Sequence, residues 1–204
     1  MARIVFDFDG TLADTLSVAL EVVNNMGFTR QLTMADYYEL RNLPTRDILK
    51  RLGIPVWRVP KLVTQGRKLL KKEASRIPPH TGIPALLAHL IEDGHELYVV
   101  SSNSPELVNS FLRRNDLAQH FNVVVGNIGI FGKAAALKRL RNTFEGLDKM
   151  YYVGDETRDI DAAKKVGVRM IAVSWGYNGI ESLGAHEPDY LVRRPAEIRK
   201  IVKL

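Results

Sequence analysis

Five short apolar runs, each ending in small or polar residues, constrain this chain more than any other feature. They are Ile4-Val5-Phe6, Leu97 to Val100, Phe121 to Val125, Met150 to Val153 and Val168 to Val173. Apolar runs of this length, bounded by turn residues, read as buried strands. The patterns between them predict helices over Leu16 to Met26, closed by Gly27, and over Gly82 to Glu92. Further helices are predicted from Ser104-Pro105-Glu106 onward, over Lys133 to Arg141, over Arg158 to Val166 and over Pro195 to Val202. Strands alternating with helices predict an α/β fold, a Rossmann-like parallel sheet covered on both faces to make three layers. Ligands of such sheets gather at the carboxyl ends of the strands.

From Leu32 to Ile77 the alternation stops and only helical patterns remain. Thr33 is placed to cap a helix to Leu40, and Thr45 one over Arg46 to Leu52 that Gly53 stops. A third is predicted from Val59-Pro60 to Ile77, with Leu62, Leu69, Leu70 and Ile77 on one face, before Pro78-Pro79 ends it. The expected division is a core of residues 1–15 and 80–204 with a small all-helical cap, residues 16–79, inserted after the first strand. The net charge of +6 is concentrated in that insert. Between Arg41 and Arg76 there are 11 basic residues against Asp47 and Glu73, and the rest of the chain carries 18 basic and 21 acidic residues. A basic segment on a slightly acidic body suggests an anionic partner near it.

The first strand ends in Asp7 and Asp9, two residues apart, followed by Gly10. At the strand's period of two, both carboxylates point to one side. Held that close they repel, and an oxygen-only set of this kind suits magnesium. Alone, the pair could equally be an exposed turn. The next strand ends in Ser101-Ser102-Asn103, whose hydroxyls and N–H groups suit a phosphoryl oxygen, or simply a turn into the Ser104 cap. Lys133 opens a helix, where the dipole disfavours a cation unless anions stand nearby. The fourth run ends in Gly154-Asp155-Glu156-Thr157-Arg158-Asp159-Ile160-Asp161. There Asp155 and Asp159 share a face of the first helical turn, where the dipole favours acids even without chemistry.

In that order these four stretches resemble the signature motifs of the haloacid dehalogenase superfamily of phosphohydrolases, over essentially the whole chain. The first is Asp7-Phe8-Asp9-Gly10-Thr11-Leu12-Ala13-Asp14-Thr15. The resemblance implies Asp7 as nucleophile, Asp9 as general acid/base, and Ser101 and Lys133 as the clamp on the phosphoryl group. It also implies Mg2+ held by Asp7, the Asp9 carbonyl and Asp155, with Asp159 in the acidic shell. Thr11, Ser102 and Asn103 are expected to contact substrate. Glu156 and Asp161 are read as surface residues. Val173-Ser174-Trp175-Gly176-Tyr177-Asn178 and the position of the insert resemble the phosphoglycolate-phosphatase-like subgroup, although the cap is short for it.

The expected activity is thus Mg2+-dependent hydrolysis of a small phosphorylated metabolite through an aspartyl-phosphate. A phosphomutase of the same fold, returning the phosphoryl group to another hydroxyl, is the first alternative. A non-catalytic binding protein using the basic cap is the second. Arg41, Arg46 and Lys50 are candidates to reach over the site toward an anionic leaving group, the other reading being a solvated cationic surface. Nucleic acid is not an expected partner, because no stacking aromatics interleave with the basic residues. The chain has no cysteine, which excludes disulfides, thiolate catalysis and cysteine-ligated zinc. With no leader pattern and no apolar run of spanning length, a cytoplasmic protein is expected, as a monomer or homodimer.

Overall fold

The computed structural model describes residues 1–25, 31–43, 45–129, 132–144 and 149–203, with the side chains of residues 45, 67, 70 and 74 also outside the description. The predicted helix end at Met26 and Gly27, the side chain of Leu70, and Ile130 and Phe131 before Lys133 therefore lie outside the description. The elements run β1 (Arg3–Phe6), α1 (Leu16–Asn25), α2 (Met34–Leu40), α3 (Thr45–Arg51), α4 (Val59–Glu73), α5 (Ile83–Glu92) and β2 (Glu96–Val100). They continue with α6 (Pro105–Arg114), β3 (Phe121–Val125), α7 (Lys133–Thr143), β4 (Met150–Gly154) and α8 (Thr157–Val166). Last come β5 (Arg169–Val173), α9 (Ile180–Ala185), β6 (Tyr190–Val192) and α10 (Pro195–Val202).

All strand pairs are parallel, in the order β3-β2-β1-β4-β5-β6. The chain leaves β1 in both directions across the sheet, so a crevice opens at the carboxyl end of β1, the switch point at which doubly wound sheets bind ligands. Register makes that crevice a meeting place. Phe6 pairs with Val99 on one side and Val153 on the other, and Asp7 N–H continues the ladder to the Val153 carbonyl at 2.8 Å. Counting on from those pairs, the residues that follow β1, β2 and β4 emerge at one level.

Alternation along β1 sends Ile4 and Phe6 to one face of the sheet and Val5 to the other. On the first face Leu86, Leu87 and Leu90 of α5, Val108 and Phe111 of α6 and Ile198 of α10 complete the core. On the second, Leu137 and Leu140 of α7 and Ile160 and Ala163 of α8 do so. The three-layer α/β expectation thus holds. The sheet also has a sixth strand, β6, preceded by α9, neither of which the sequence pattern announced. Both are short, and the Gly179, Gly184, Pro188 and Asp189 around them read as loop.

From α1 to the 3-10 turn Ala74–Arg76 every described element is helical. Thr33 caps α2 through a full capping box with Asp36. Thr45 is the first residue of α3 and not its cap. The helix expected to reach Ile77 ends at Glu73 and tightens into the 3-10 turn, because Pro78 bars α geometry to the residue before it. Ile77 is extended and drops into the core. The insert's own cluster is built on buried Leu40, Leu52 and Ile54. Ala13 and Pro79 bridge where the chain leaves and re-enters the core. No helix among the described residues is long and apolar enough to cross a membrane.

Candidate active site

The carboxyl ends of β1 and β4 bring five buried or half-buried acids together, Asp7, Asp9, Asp155, Glu156 and Asp159. Asp7, directly after β1, is buried and receives the ammonium of Lys133 on Oδ2 at 2.6 Å. Lys133 Nζ also reaches Asp159 Oδ1, which accepts in addition the phenol of Tyr152 at 3.1 Å. Asp159 Oδ2 accepts the N–H of Glu156 at 3.1 Å, closing the capping box of α8. Burial opposes the charge on Lys133, but Asp159 and Asp7 outweigh it and hold the ammonium protonated. Burial pushes the Asp7 carboxyl up to about 6 even against the pull of Lys133. Gly154 makes this packing possible: a Cβ there would lie 2.5 Å from Asp159 Oδ2.

Asp9 stands beside Asp7 and opens onto a cavity. Its Oδ2 accepts Asn103 Nδ2 at 2.7 Å, while its buried Oδ1 has no partner. Burial, and then the charge of Asp7, push its carboxyl up to about 7, where both protonation states are accessible. Asp155 is fully buried and differently engaged. Its Oδ1 accepts Thr11 Oγ1 at 2.7 Å and its Oδ2 the N–H of Tyr177 at 2.6 Å. Burial pushes it well above the carboxylate range, with Glu156, Asp7 and Asp159 adding to the rise. Gly10, at φ +73, lets β1's exit loop pass over this carboxyl, since a Cβ would lie 2.8 Å from Asp155 Cγ.

Among the described residues, the acids whose oxygens meet within 4.8 Å of one another are Asp7, Glu156 and Asp159. Their all-oxygen donors suit a hard divalent cation. This grouping differs from the expected set in two respects: Glu156 joins Asp7 and Asp159, and the side chain of Asp155 is held by Thr11 and Tyr177 instead. The expected donor from Asp9 is its carbonyl, and its side chain is bonded to Asn103. Glu156 is therefore no surface residue: it is half-buried and borders the cavity. Asp161, by contrast, is exposed and pairs with His186.

The cavity over Asp7 and Asp9 measures about 260 Å³ and lies between the sheet's carboxyl edge and the insert. Val18 and Val22 of α1 and Leu62 and Val63 of α4 form its apolar wall, and Ser102 and Asn103 its polar edge. A second cavity of about 340 Å³ runs on beneath α2 and α3, sharing Ala19, Val23, Glu156, Arg158 and Tyr177 with the first.

Residues 4–173 match the model of the haloacid dehalogenase-like hydrolase family. The chain belongs to that family. It is 35% identical over 208 residues to a phosphoglycolate phosphatase of Synechococcus elongatus, spanning 99% of this chain and 97% of the relative. It is 23% identical to a pyrophosphatase of Bacillus velezensis, over 98% of this chain and 96% of that one. A haloacid dehalogenase-like family hydrolase from Streptococcus pneumoniae shares the fold at TM-score 0.76 with 17% identity, over 98% of each chain.

Within this haloacid dehalogenase-like hydrolase the other expected contacts fall unevenly. Ser101 is fully buried, with Oγ accepting the N–H of Asn103 at 3.0 Å, and it is Ser102 and Asn103 that border the cavity. Thr11, expected to contact substrate, instead spends its hydroxyl on Asp155. Arg41 borders only the second cavity, and its guanidinium reaches the carbonyls of Ser174 and Asn178. Arg46 is exposed and borders neither cavity. Several contributors carried no sequence signal of their own. Tyr152 reads only as a strand residue, yet it braces Asp159. Tyr177 bonds Thr15 through its hydroxyl at 2.7 Å and receives Tyr37's phenol on its carbonyl. The stretch Val173 to Asn178 was the one available signal for that role.

Proposed function

We propose that this protein is a magnesium-dependent phosphatase acting on a small anionic phosphomonoester through an aspartyl-phosphate. In this reading residues 16–79 form a cap over a core of residues 1–15 and 80–204. The observation that carries it is the pairing of two unlike carboxyls at the floor of one small cavity. Asp7 is charge-compensated by Lys133, and Asp9, its carboxyl pushed up to about 7 by burial, keeps an unpartnered oxygen.

Phosphoryl transfer needs in-line attack, charge compensation and a proton for the leaving oxygen. Asp7 Oδ2 is occupied by Lys133, so Oδ1 is the oxygen that forms the bond to phosphorus as the ester P–O bond breaks. Asp9 gives its proton to the departing oxygen and then takes one from the water that hydrolyses the acyl phosphate, regenerating both carboxyls. Asn103 fixes the Asp9 rotamer for both steps. Lys133 compensates Asp7 and the incoming phosphoryl oxygens, and the Ser102–Asn103 edge holds the group in place. Magnesium, when bound, supplies further charge compensation to those oxygens. Asp7, Glu156 and Asp159 are the side chains that would hold it, with Asp155 and the Asp9 carbonyl added by the family motif.

The test is turnover of phenyl phosphate and 2-phosphoglycolate with magnesium, for the natural protein and for Asp7→Asn. The variant is expected to lose about 10³-fold or more in kcat, and a chelator to abolish turnover of the natural protein. Turnover that survives Asp7→Asn would overturn the proposal.

A further inference from the structure

We infer that Arg158, on the sheet domain and not on the basic insert, binds a second anionic group of the substrate, a carboxylate or phosphate on its leaving group. The inference rests on the phosphatase reading and names the residue that sets its specificity. Among the described residues, Arg158 is the basic side chain that borders the cavity over Asp7 and Asp9. It also borders the second cavity, so it stands at the junction through which a leaving group would extend.

The insert's cations are placed otherwise. Arg41 is committed to the Ser174 and Asn178 carbonyls. Lys68 and Lys72 line one separate cleft and Arg58 and Lys61 another, neither of which contains Asp7 or Asp9. Among the described side chains, none of the insert's cations lines the cavity over Asp7 and Asp9.

The position of Arg158 also calls for an anion. It is the second residue of α8, a ten-residue helix, and a cation in the first turn opposes the helix dipole. Glu156 compensates it through a 2.5 Å ion pair, while 38% of the arginine side chain remains exposed. A planar guanidinium so placed matches carboxylate or phosphate oxygens. Around it the walls are Val18, Val22, Leu62 and Val63. An anionic leaving group desolvated against valine and leucine would be strongly disfavoured without a cation in the same cavity.

Affinity measured in an Asp7→Asn background separates this inference from the catalytic one. Calorimetry with magnesium would compare 2-phosphoglycolate, inorganic pyrophosphate and the uncharged-leaving-group probe phenyl phosphate. Each would be titrated into Asp7→Asn alone and combined with Arg158→Gln or Arg158→Lys. The glutamine variant is expected to weaken 2-phosphoglycolate, pyrophosphate or both by about 10- to 100-fold more than phenyl phosphate, and the lysine variant to recover part of that loss. Which anion suffers more tells carboxylate from phosphate. Equal weakening of all three probes would overturn the inference, because Arg158 would then act only by holding Glu156. Unchanged affinities would overturn it as well. Failure of the phosphatase reading would show separately, as absent turnover in the natural protein.

Discussion

Two residues at the site show how little room its chemistry leaves. Gly154 sits under Asp159, and a methyl group there would meet Oδ2 at 2.5 Å and Cγ at 2.7 Å. Gly154→Ala is expected to push Asp159 off Lys133, costing about 1–3 kcal/mol of stability and most of the turnover. Thermal melts and the aryl phosphate assay check both, and an unchanged melt would show that the helix start can yield. Asp9 sets a stability–function conflict. Its carboxyl rises from 3.8 to about 7 on folding without metal, so it favours the folded state below pH 4 and that contribution disappears as the pH rises through about 7. Metal-free Asp9→Asn is therefore expected to melt higher than the natural protein at pH 8 and to lose that advantage near pH 4. A difference that does not vary with pH would contradict the burial argument. None of this was readable from the motif letters: the spacing placed two acids side by side, but burial set how far each titration moves.

At the scale of elements, local sequence rules located most of the starts and stops. Thr33 and Ser104 cap as their side chains allow, and Pro105 and Pro195 sit in first turns. The misses came where tertiary contacts override pattern. Short β6 pairs with β5 at the sheet edge, and Ile77 leaves helical geometry to enter the core. A tertiary clamp also secures the last helix. Asp93, just past the end of α5, accepts Nε and one Nη of Arg199 on α10 at 2.7 and 2.9 Å and pairs with Lys203 at 3.2 Å. These bonds, Arg199 foremost, hold the Asp93 carboxyl well below the usual carboxylate range. A depressed carboxylate stabilises the fold above its unfolded pKa near 4 and ceases to as pH falls through the folded value. Asp93→Asn is thus expected to lower the melting temperature at pH 7, with the gap narrowing as the pH is taken below 4. A gap independent of pH would show that the clamp acts by hydrogen bonding alone.

For the molecule as a whole, the site exists because three separate strand ends and the insert converge. If Asp7, Glu156 and Asp159 hold the cation, magnesium raises the melting temperature by mass action. Glu156→Gln is expected to shrink that increase, and an equal increase in both proteins would remove Glu156 from the set. The sequence by itself determined the alternation of strands and helices, the order of the motif residues and their place at strand ends. These follow from period, caps and turn chemistry, which act over a few residues. It also showed where the positive charge is concentrated, but not what that charge faces. Only the tertiary structure decided that Glu156 and Arg158 turn inward, that Thr11 serves Asp155, and that Arg41 ties the insert to the Ser174–Asn178 loop. Each of those outcomes depends on partners 100 or more residues away or on the shape of a cavity between two segments. Packing sets them, and no local pattern encodes packing over that separation.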